Sequence, residues 1–481
     1  MSDHTATKAP PTPYRPDVRH TRLGDGFFDT VSAARFPRTI VRFRNDRAAA
    51  EVGLDGLDAA AWVTHFGRFE PLAGNLPEPL ALRYHGHQFR TYNPDLGDGR
   101  GFLFAQMRDT GDRLMDLGTK GSGTTPWSRA GDGRLTLKGG VREVLATEML
   151  EALGVRTSRS FSLIETGEEL FRGDEPSPAR SSVLVRLSHS HLRIGTFQRL
   201  FYLEDHAALE VLVDYAIAEY WPDAAETASP ATRFFDCVVG AVAQMGAQWF
   251  AAGFVHGVLN TDNITITGES FDYGPWRFLP VLDPAFTAAY FDHQGLYAFG
   301  RQPDALFWNL ARLGECLVPL STMVDLKAVL DTFPLRFEAA LARSTLARLG
   351  LAPGDPATDY KLSHIFYGAL RAGGTPFEQA FFDLAGGAEP ARIALSPVAA
   401  IYGSESWRDV ISAIRARAAC PGAADALALP PYAGGRPETL LIDEVEQIWG
   451  FIAGDDDWSA FHAKIKAIGA FGAANRLLAS L

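Results

Sequence analysis

Cysteine is scarce: only Cys237, Cys316 and Cys420 occur in 481 residues. None forms a CxxC pair, and their spacing matches no zinc site. So few thiols in so long a chain fit a reducing compartment, and a cytoplasmic location is the expectation. Long apolar runs are missing as well. No stretch of about 18 apolar residues reads as a membrane span, and the opening MSDHTATKAPPTPYRPDVRH has no apolar signal core. Residues 1–22 read instead as a flexible, polar lead. Positive charge is in deficit, with 45 Lys and Arg against 57 Asp and Glu and a formal net charge of −12. That balance argues against a nucleic-acid partner, because such proteins cover phosphates with a basic surface. Any phosphate ligand therefore needs a local basic pocket. There is no repeat at a solenoid period, and no Walker A or Rossmann fingerprint.

What is present is ample apolar material, 47% of the chain, for a large core. The length implies more than one domain or one two-lobed domain. From residue 23 to about residue 200 the chain is rich in short β-like runs and glycines. Phe102–Gln106, Arg113–Thr119 and Ser181–Leu187 are predicted strands. One helix interrupts them, with an apolar stripe at Val141, Val144, Leu145 and Met149 and a stop near Gly154. From about residue 201 the chain turns helical. Arg233–Ala252 reads as a long apolar helix ended by Gly253, and further helices are expected from Asp304, from Val324 to Ala347, and from Ser404 and Glu438. Pro421–Glu438 reads as a linker. Ile264–Thr267 alternates apolar and hydroxyl residues, the pattern of a short strand, and Ser270–Tyr273 is a second strand candidate. The fold class is thus α+β: a strand-rich half, 23–200, before a helical half, 201–481, with a ligand cleft expected between two lobes.

Nucleotide transfer needs cations around phosphates, a metal on oxygen ligands and a positioned nucleophile. His256 and Asn263 carry the seven-residue offset of the kinase catalytic loop, and Asp272-Tyr273-Gly274 stands where a kinase has its D-F-G. An amide oxygen and a carboxylate suit Mg²⁺. Val258 replaces the usual loop Asp, which leaves Asp262 as the nearby carboxylate. Each short motif, taken alone, is equally a polar turn. Gly97, Gly99 and Arg100 form one glycine-rich turn, and Asp132 and Gly133 belong to a second. Such turns let backbone N–H groups approach an anion. Lys120 at a strand end and Glu143 on the following helix imitate the kinase ion pair that steers a lysine onto phosphates. Arg186 and Arg193 offer guanidinium forks for phosphate oxygens. Singly, each could be an ordinary turn or a solvated charge. The His85/His87 and His189/His191 pairs have no third ligand nearby in sequence, and zinc usually takes three or four.

Together these residues resemble the selenoprotein O family, protein adenylyltransferases with a kinase-like fold. The resemblance runs from about Gly24 to Cys316, through YHGHQFRTYNPDLGDGRG, LGTKGSGTTPWSRAGDGR, VREVLATEMLEALGV, VLVRLSHSHLRIGTF, HGVLNTDN, FDYGP and DHQGLYAFGRQP. It implies ATP bound in an orientation flipped relative to kinases, so that the α-phosphate is attacked and AMP passes to Ser, Thr or Tyr hydroxyls of protein substrates. By the same resemblance Gly97, Gly99, Arg100, Lys120, Asp132, Gly133, Arg186 and Arg193 contact nucleotide, and Glu143 partners the lysine. Asp262 is the expected general base, and Asn263 and Asp272 the ligands of Mg²⁺ or Mn²⁺. UMP transfer from UTP is a further activity it implies. The alternatives are γ-phosphoryl transfer and a non-catalytic nucleotide-binding scaffold. Two departures stand out. The final residues NRLLASL contain no cysteine, and Arg90 follows HGHQF where the resemblance leads one to expect glycine.

Overall fold

The computed structural model describes residues 13–173 and 175–480. Among the described residues twelve strands form in chain order: β1 Phe28–Thr30, β2 Ile40–Arg44, β3 Leu80–Leu82, β4 Gly86–Gln88, β5 Thr91–Asn93, β6 Leu103–Arg108, β7 Leu114–Lys120, β8 Leu135–Thr136, β9 Arg159–Leu170, β10 Ala179–Ser188, β11 Phe254–His256 and β12 Trp276–Phe278. Seven of them make an antiparallel sheet in the order β1-β3-β6-β7-β10-β9-β2, with β8 added on β10. The three predicted strands are β6, β7 and β10, displaced by a residue or two at their ends.

Strand alternation decides which residues meet the core and which meet the cleft. Val183, Val185 and Leu187 of β10 join Trp62, Phe66 and Phe161 in an aromatic-rich core beneath the sheet. Leu184 points the other way, into the main core with the helix Leu137–Ala152. Arg186 shares that second face. On β7 the same rule puts Met115 and Leu117 below and Lys120 above. The helix Leu137–Ala152 starts where the Thr136 side chain accepts a hydrogen bond from Gly139 N–H. It ends before Gly154, whose φ of 81° reverses the chain.

The second half is helical. The helix Pro230–Ala251 is buried on most sides, and Gly253 at φ 62° ends it as predicted. The span expected to be helical from Val324 to Ala347 holds two helices, Met323–Leu330 and Phe333–Leu349, with Pro334 in the first turn of the second. The predicted linker Pro421–Glu438 contains two short helices, Ala423–Leu427 and Pro430–Ala433.

Three further expectations need correction. Ile264–Thr267 is not a strand. All four of its residues are buried, so its alternation does not separate core from solvent. Thr265 instead turns its hydroxyl onto Glu269 O at 2.8 Å and closes a local turn. Ser270–Tyr273 makes only a single bridge, Ser270 to Thr157. The strands that bring the loop ends together are β11 and β12, paired Phe254 to Phe278. Residues 1–12 of the expected flexible lead lie outside the described residues. Residues 13–22 are held down, with Asp17 N donating to Gln106 O at 3.1 Å and Arg108 pairing with Asp17. The last helices also reach back to the strand-rich half. Ser459–Leu478 lies on Leu137–Ala152, where Asn475 Nδ2 caps Ala152 O at 2.9 Å. Lys138 pairs with Glu446, and Arg180 with Asp456. The helix that carries Glu143 is therefore braced from both halves.

Candidate nucleotide site

A cleft of about 670 Å³ opens where the β7 and β10 ends face the 257–275 loop. It is lined by Gly97, Gly99, Arg100, Lys120, Asp132, Gly133, Arg186, Arg193, Asp262 and Asp272, all singled out from the sequence. Residues as far apart in the chain as Gly97 and Asp272 thus share one wall. Arg129, Arg134 and Arg172 line it too. An acidic chain has concentrated its cations here.

The glycines have steric reasons to be glycine. A Cβ on Gly97 would lie 2.3 Å from the Trp127 ring, and one on Gly133 would lie 2.2 Å from the Gly123 carbonyl. The two turns are pressed together and pinned. Ser128 Oγ donates to Gly99 O at 2.5 Å, Thr125 Oγ1 to Asp98 O at 2.6 Å, and Trp127 Nε1 to Asp29 Oδ2 at 2.8 Å. The result is a rigid glycine-rich roof on the cleft.

Lys120 lies at the centre. Its Nζ donates to Glu143 Oε1 and, at 2.6 Å, to Asp272 Oδ1. Arg186 Nη1 reaches the same Asp272 oxygen at 3.3 Å. Burial would raise the Asp272 carboxyl, but Lys120 and Arg186 overcome it and hold it well below the usual carboxylate range. Asp272 also adopts φ 63°, a left-handed geometry that Asp tolerates better than most residues. Arg193 is buried between the rings of Tyr84 and Phe271, 4.1 and 5.1 Å from their centroids, with Asp98 at 3.4 Å. Stacking fixes the guanidinium plane while leaving its edge toward the cleft.

Asp262 is almost buried, and its Oδ1 has no hydrogen-bond partner. Burial pushes its carboxyl up to about 6, with Asp272 adding to the rise and Arg193 opposing it. A carboxylate so placed is a stronger base than an exposed one. Its neighbour Asn263 does not line the cleft wall. Asn263 Nδ2 donates to Val258 O at 3.0 Å, which orients the amide. His256 braces the loop: its backbone N–H donates to Gln302 Oε1 at 2.9 Å, and its ring lies 3.3 Å from Phe271 O. Burial lowers that imidazole to about 4, so it serves as a neutral strut. Glu143 likewise stays behind Lys120 rather than on the wall. Asp132 is engaged by Arg172 at 2.8 Å.

The histidine pairs have other partners. His85 meets Tyr92, His87 meets Gln198, His189 meets Leu114 O and His191 meets Asp116. No cluster of three or more His, Cys, Asp or Glu suited to a metal occurs among the described residues. Trp127, Arg129, Arg134 and Arg172 escaped the sequence reading as site residues. Their signal was glycine density: Trp127, Arg129 and Arg134 lie in one glycine-rich segment, whereas Arg172 carries no local signal.

A basic cleft with a glycine-rich roof, a clamped lysine and a near-buried carboxylate can hold a polyphosphate and take up a proton beside it. Comparison with known sequences places the chain among the protein nucleotidyltransferases. It belongs to the SelO family: the family model described as "Protein adenylyltransferase SelO" matches residues 12–469. A relative from Gloeobacter violaceus, named protein nucleotidyltransferase YdiU, is 46% identical over 449 residues, covering 92% of each chain. One of the same name from Synechocystis sp. is 43% identical, covering 93% of this chain and 96% of its own. Another from Synechococcus elongatus reaches 52% identity over 70% of this chain and 68% of its own.

Proposed function

We propose that this protein transfers AMP from ATP to Ser, Thr or Tyr hydroxyls of other proteins. The reading further takes the scaffold as kinase-like, with residues 23–200 as the nucleotide-holding lobe and 201–481 as the helical lobe, and the setting as cytoplasmic. The observation that carries it is Lys120, held between Glu143 and Asp272 at the centre of a cleft that also presents Arg186 and Arg193. Charged groups from strand, helix and loop meet in and behind one cleft, an arrangement that supports a triphosphate ligand.

The chemistry follows from the residues. Lys120, Arg186 and Arg193 would neutralise phosphate oxygens, and the roof Gly97–Gly101 would cover them. The acceptor hydroxyl oxygen attacks the α-phosphorus, the bond from that phosphorus to the β-bridging oxygen breaks, and pyrophosphate leaves. The hydroxyl proton passes to the carboxylate of Asp262, which lines the cleft. The donor set also fits Mg²⁺ or Mn²⁺. Asp272 uses Oδ1 for its ion pairs and leaves Oδ2, and Asn263 ties down Nδ2 and leaves its amide oxygen. Two hard oxygens plus phosphates and water form a usual magnesium shell. When bound, the ion would offset charge on the transferring phosphate.

Mass spectrometry of acceptor proteins incubated with ATP tests the reading. Peptides carrying AMP on Ser, Thr or Tyr support it. Peptides carrying only phosphate would favour γ-phosphoryl transfer, and unmodified protein that still binds ATP would favour a scaffold.

A further inference from the structure

The β4–β5 hairpin, residues 86–93, touches the loop of Asp262 more intimately than any nucleotide role requires. A Cβ on Gly86 would lie 3.3 Å from Asp262 Oδ1. His87 N–H donates to Thr261 Oγ1 at 2.8 Å, and Phe89 N–H to Asn260 Oδ1 at 3.1 Å. The same Asn260 oxygen accepts from Tyr297 Oη at 2.8 Å. Phe89 and Tyr297 pack at 5.0 Å between ring centroids, so the tip is locked to the loop by one closed triangle.

The hairpin tip is strained and apolar at once. Phe89 and Arg90, the central pair of a two-residue turn, have φ 48° and 65°. That turn geometry is normally met by Asn and Gly. A bulky aromatic there costs free energy and persists only where the surroundings fix it, a pattern that clusters at functional sites. Phe89 nevertheless remains 37% exposed, next to Phe291 at 42% and Tyr290 at 78%. Their rings form a continuous strip, Phe89 to Phe291 at 5.8 Å and Phe291 to Tyr290 at 5.1 Å. The strip adjoins the cleft: Gln88, the residue before Phe89, lines it together with Asp262, and Phe89 N–H is bonded to the Asp262 loop at Asn260.

The geometry points to this strip as the docking platform for the acceptor: an extended protein segment that seats an apolar side chain, leucine or aromatic, on Phe89 and Tyr290 while its hydroxyl reaches Asp262. The assignment rests on the proposed nucleotidyl transfer and adds a substrate preference to it. The strip begins at the Asp262 end of the cleft, where the attacking hydroxyl must enter, and it bears no charge of its own. Arg90 is drawn aside, its guanidinium over Trp308 at 5.6 Å. Phe89 and Tyr290 are thus specificity-determining residues, distinct from the groups that hold ATP.

The test uses peptides with one acceptor Ser flanked by Leu, Phe or Asp, ATP labelled in the α-phosphate, and the full-length chain as wild type, Phe89→Gly and Tyr290→Ser. Phe89→Gly also removes the φ strain, so the variant should fold. The wild type is expected to favour Leu or Phe peptides by about tenfold in kcat/KM, the discrimination one apolar side chain commonly gives. Both variants should lose that preference through peptide KM, with ATP affinity unchanged. A preference that survives both substitutions, or label that enters proteins but no peptide, overturns the platform while leaving nucleotidyl transfer standing. Loss of preference accompanied by dissociation of an oligomer would assign the strip to a second copy of the chain and also overturn it. Transfer of γ-label instead would remove the underlying reading.

Discussion

Asp272 should have opposite effects on ATP binding with and without a divalent ion. In the free chain its carboxylate occupies Lys120 Nζ at 2.6 Å and Arg186 Nη1 at 3.3 Å, the cations a triphosphate would want. Without metal, then, Asp272 competes with phosphate. Two unit charges about 4 Å apart interact by about 4 kcal/mol at an effective dielectric of 20. The Asp272 side chain keeps 27% of its exposure, so solvent screens much of this. About 1 kcal/mol should remain, equivalent to about fivefold in affinity. Asp272→Asn should therefore bind ATP about fivefold more tightly in EDTA. In excess Mg²⁺ the order should reverse, since a carboxylate ligand is lost, and transfer should fall by about 10²–10³. The fold should survive: Asn tolerates φ 63°, and Lys120 keeps Glu143. Calorimetric titration with ATP in EDTA and in Mg²⁺, beside a melting curve, makes the comparison. Equal weakening in both conditions would refute the metal-ligand role. Wild-type transfer by the variant would reduce Asp272 to a tether for Lys120.

Asp262→Ala should lower transfer by about 10²–10⁴ while leaving ATP affinity near that of the wild type, measured by labelled transfer alongside titration. Trp62→Ala should cost about 3–5 kcal/mol in guanidinium unfolding, because Trp62 is fully buried, stacked 5.0 Å from Phe161 and bonded to Ser162. Asp456 should act as an acid-sensitive clamp on the last helices. Hydrogen bonds from Arg180 and Trp458 depress its carboxyl from 3.8 to about 2, so the stabilisation is present above 3.8 and lost as pH falls through about 2. The melting difference between wild type and Asp456→Asn should accordingly shrink as pH falls from about 5 to about 2.

The sequence made some features legible and hid others for physical reasons. Strands β6, β7 and β10 were visible because apolar runs must cross a sheet buried on both sides. Gly154 and Gly253 marked helix ends because a left-handed residue there has few alternatives to glycine. The Lys120–Glu143 pair was legible from element order, a strand end followed by a helix that packs back over it. Ile264–Thr267 misled because threonine hydroxyls can be buried as well as isoleucine when they serve nearby backbone groups, so alternation no longer reports solvent. Arg172 was invisible because it comes from the distal β9–β10 hairpin and meets the glycine turns only in three dimensions. The Phe89–Asn260–Tyr297 triangle joins residues from three segments, with no local pattern to betray it.

The most direct measurement is incubation of the full-length chain and an acceptor protein with ATP labelled separately in the α- and γ-phosphates. The account predicts that α-label becomes covalently attached while γ-label leaves as pyrophosphate, and that Asp262→Ala suppresses the attachment. Covalent γ-label without α-label, or no attachment despite bound ATP, would contradict it.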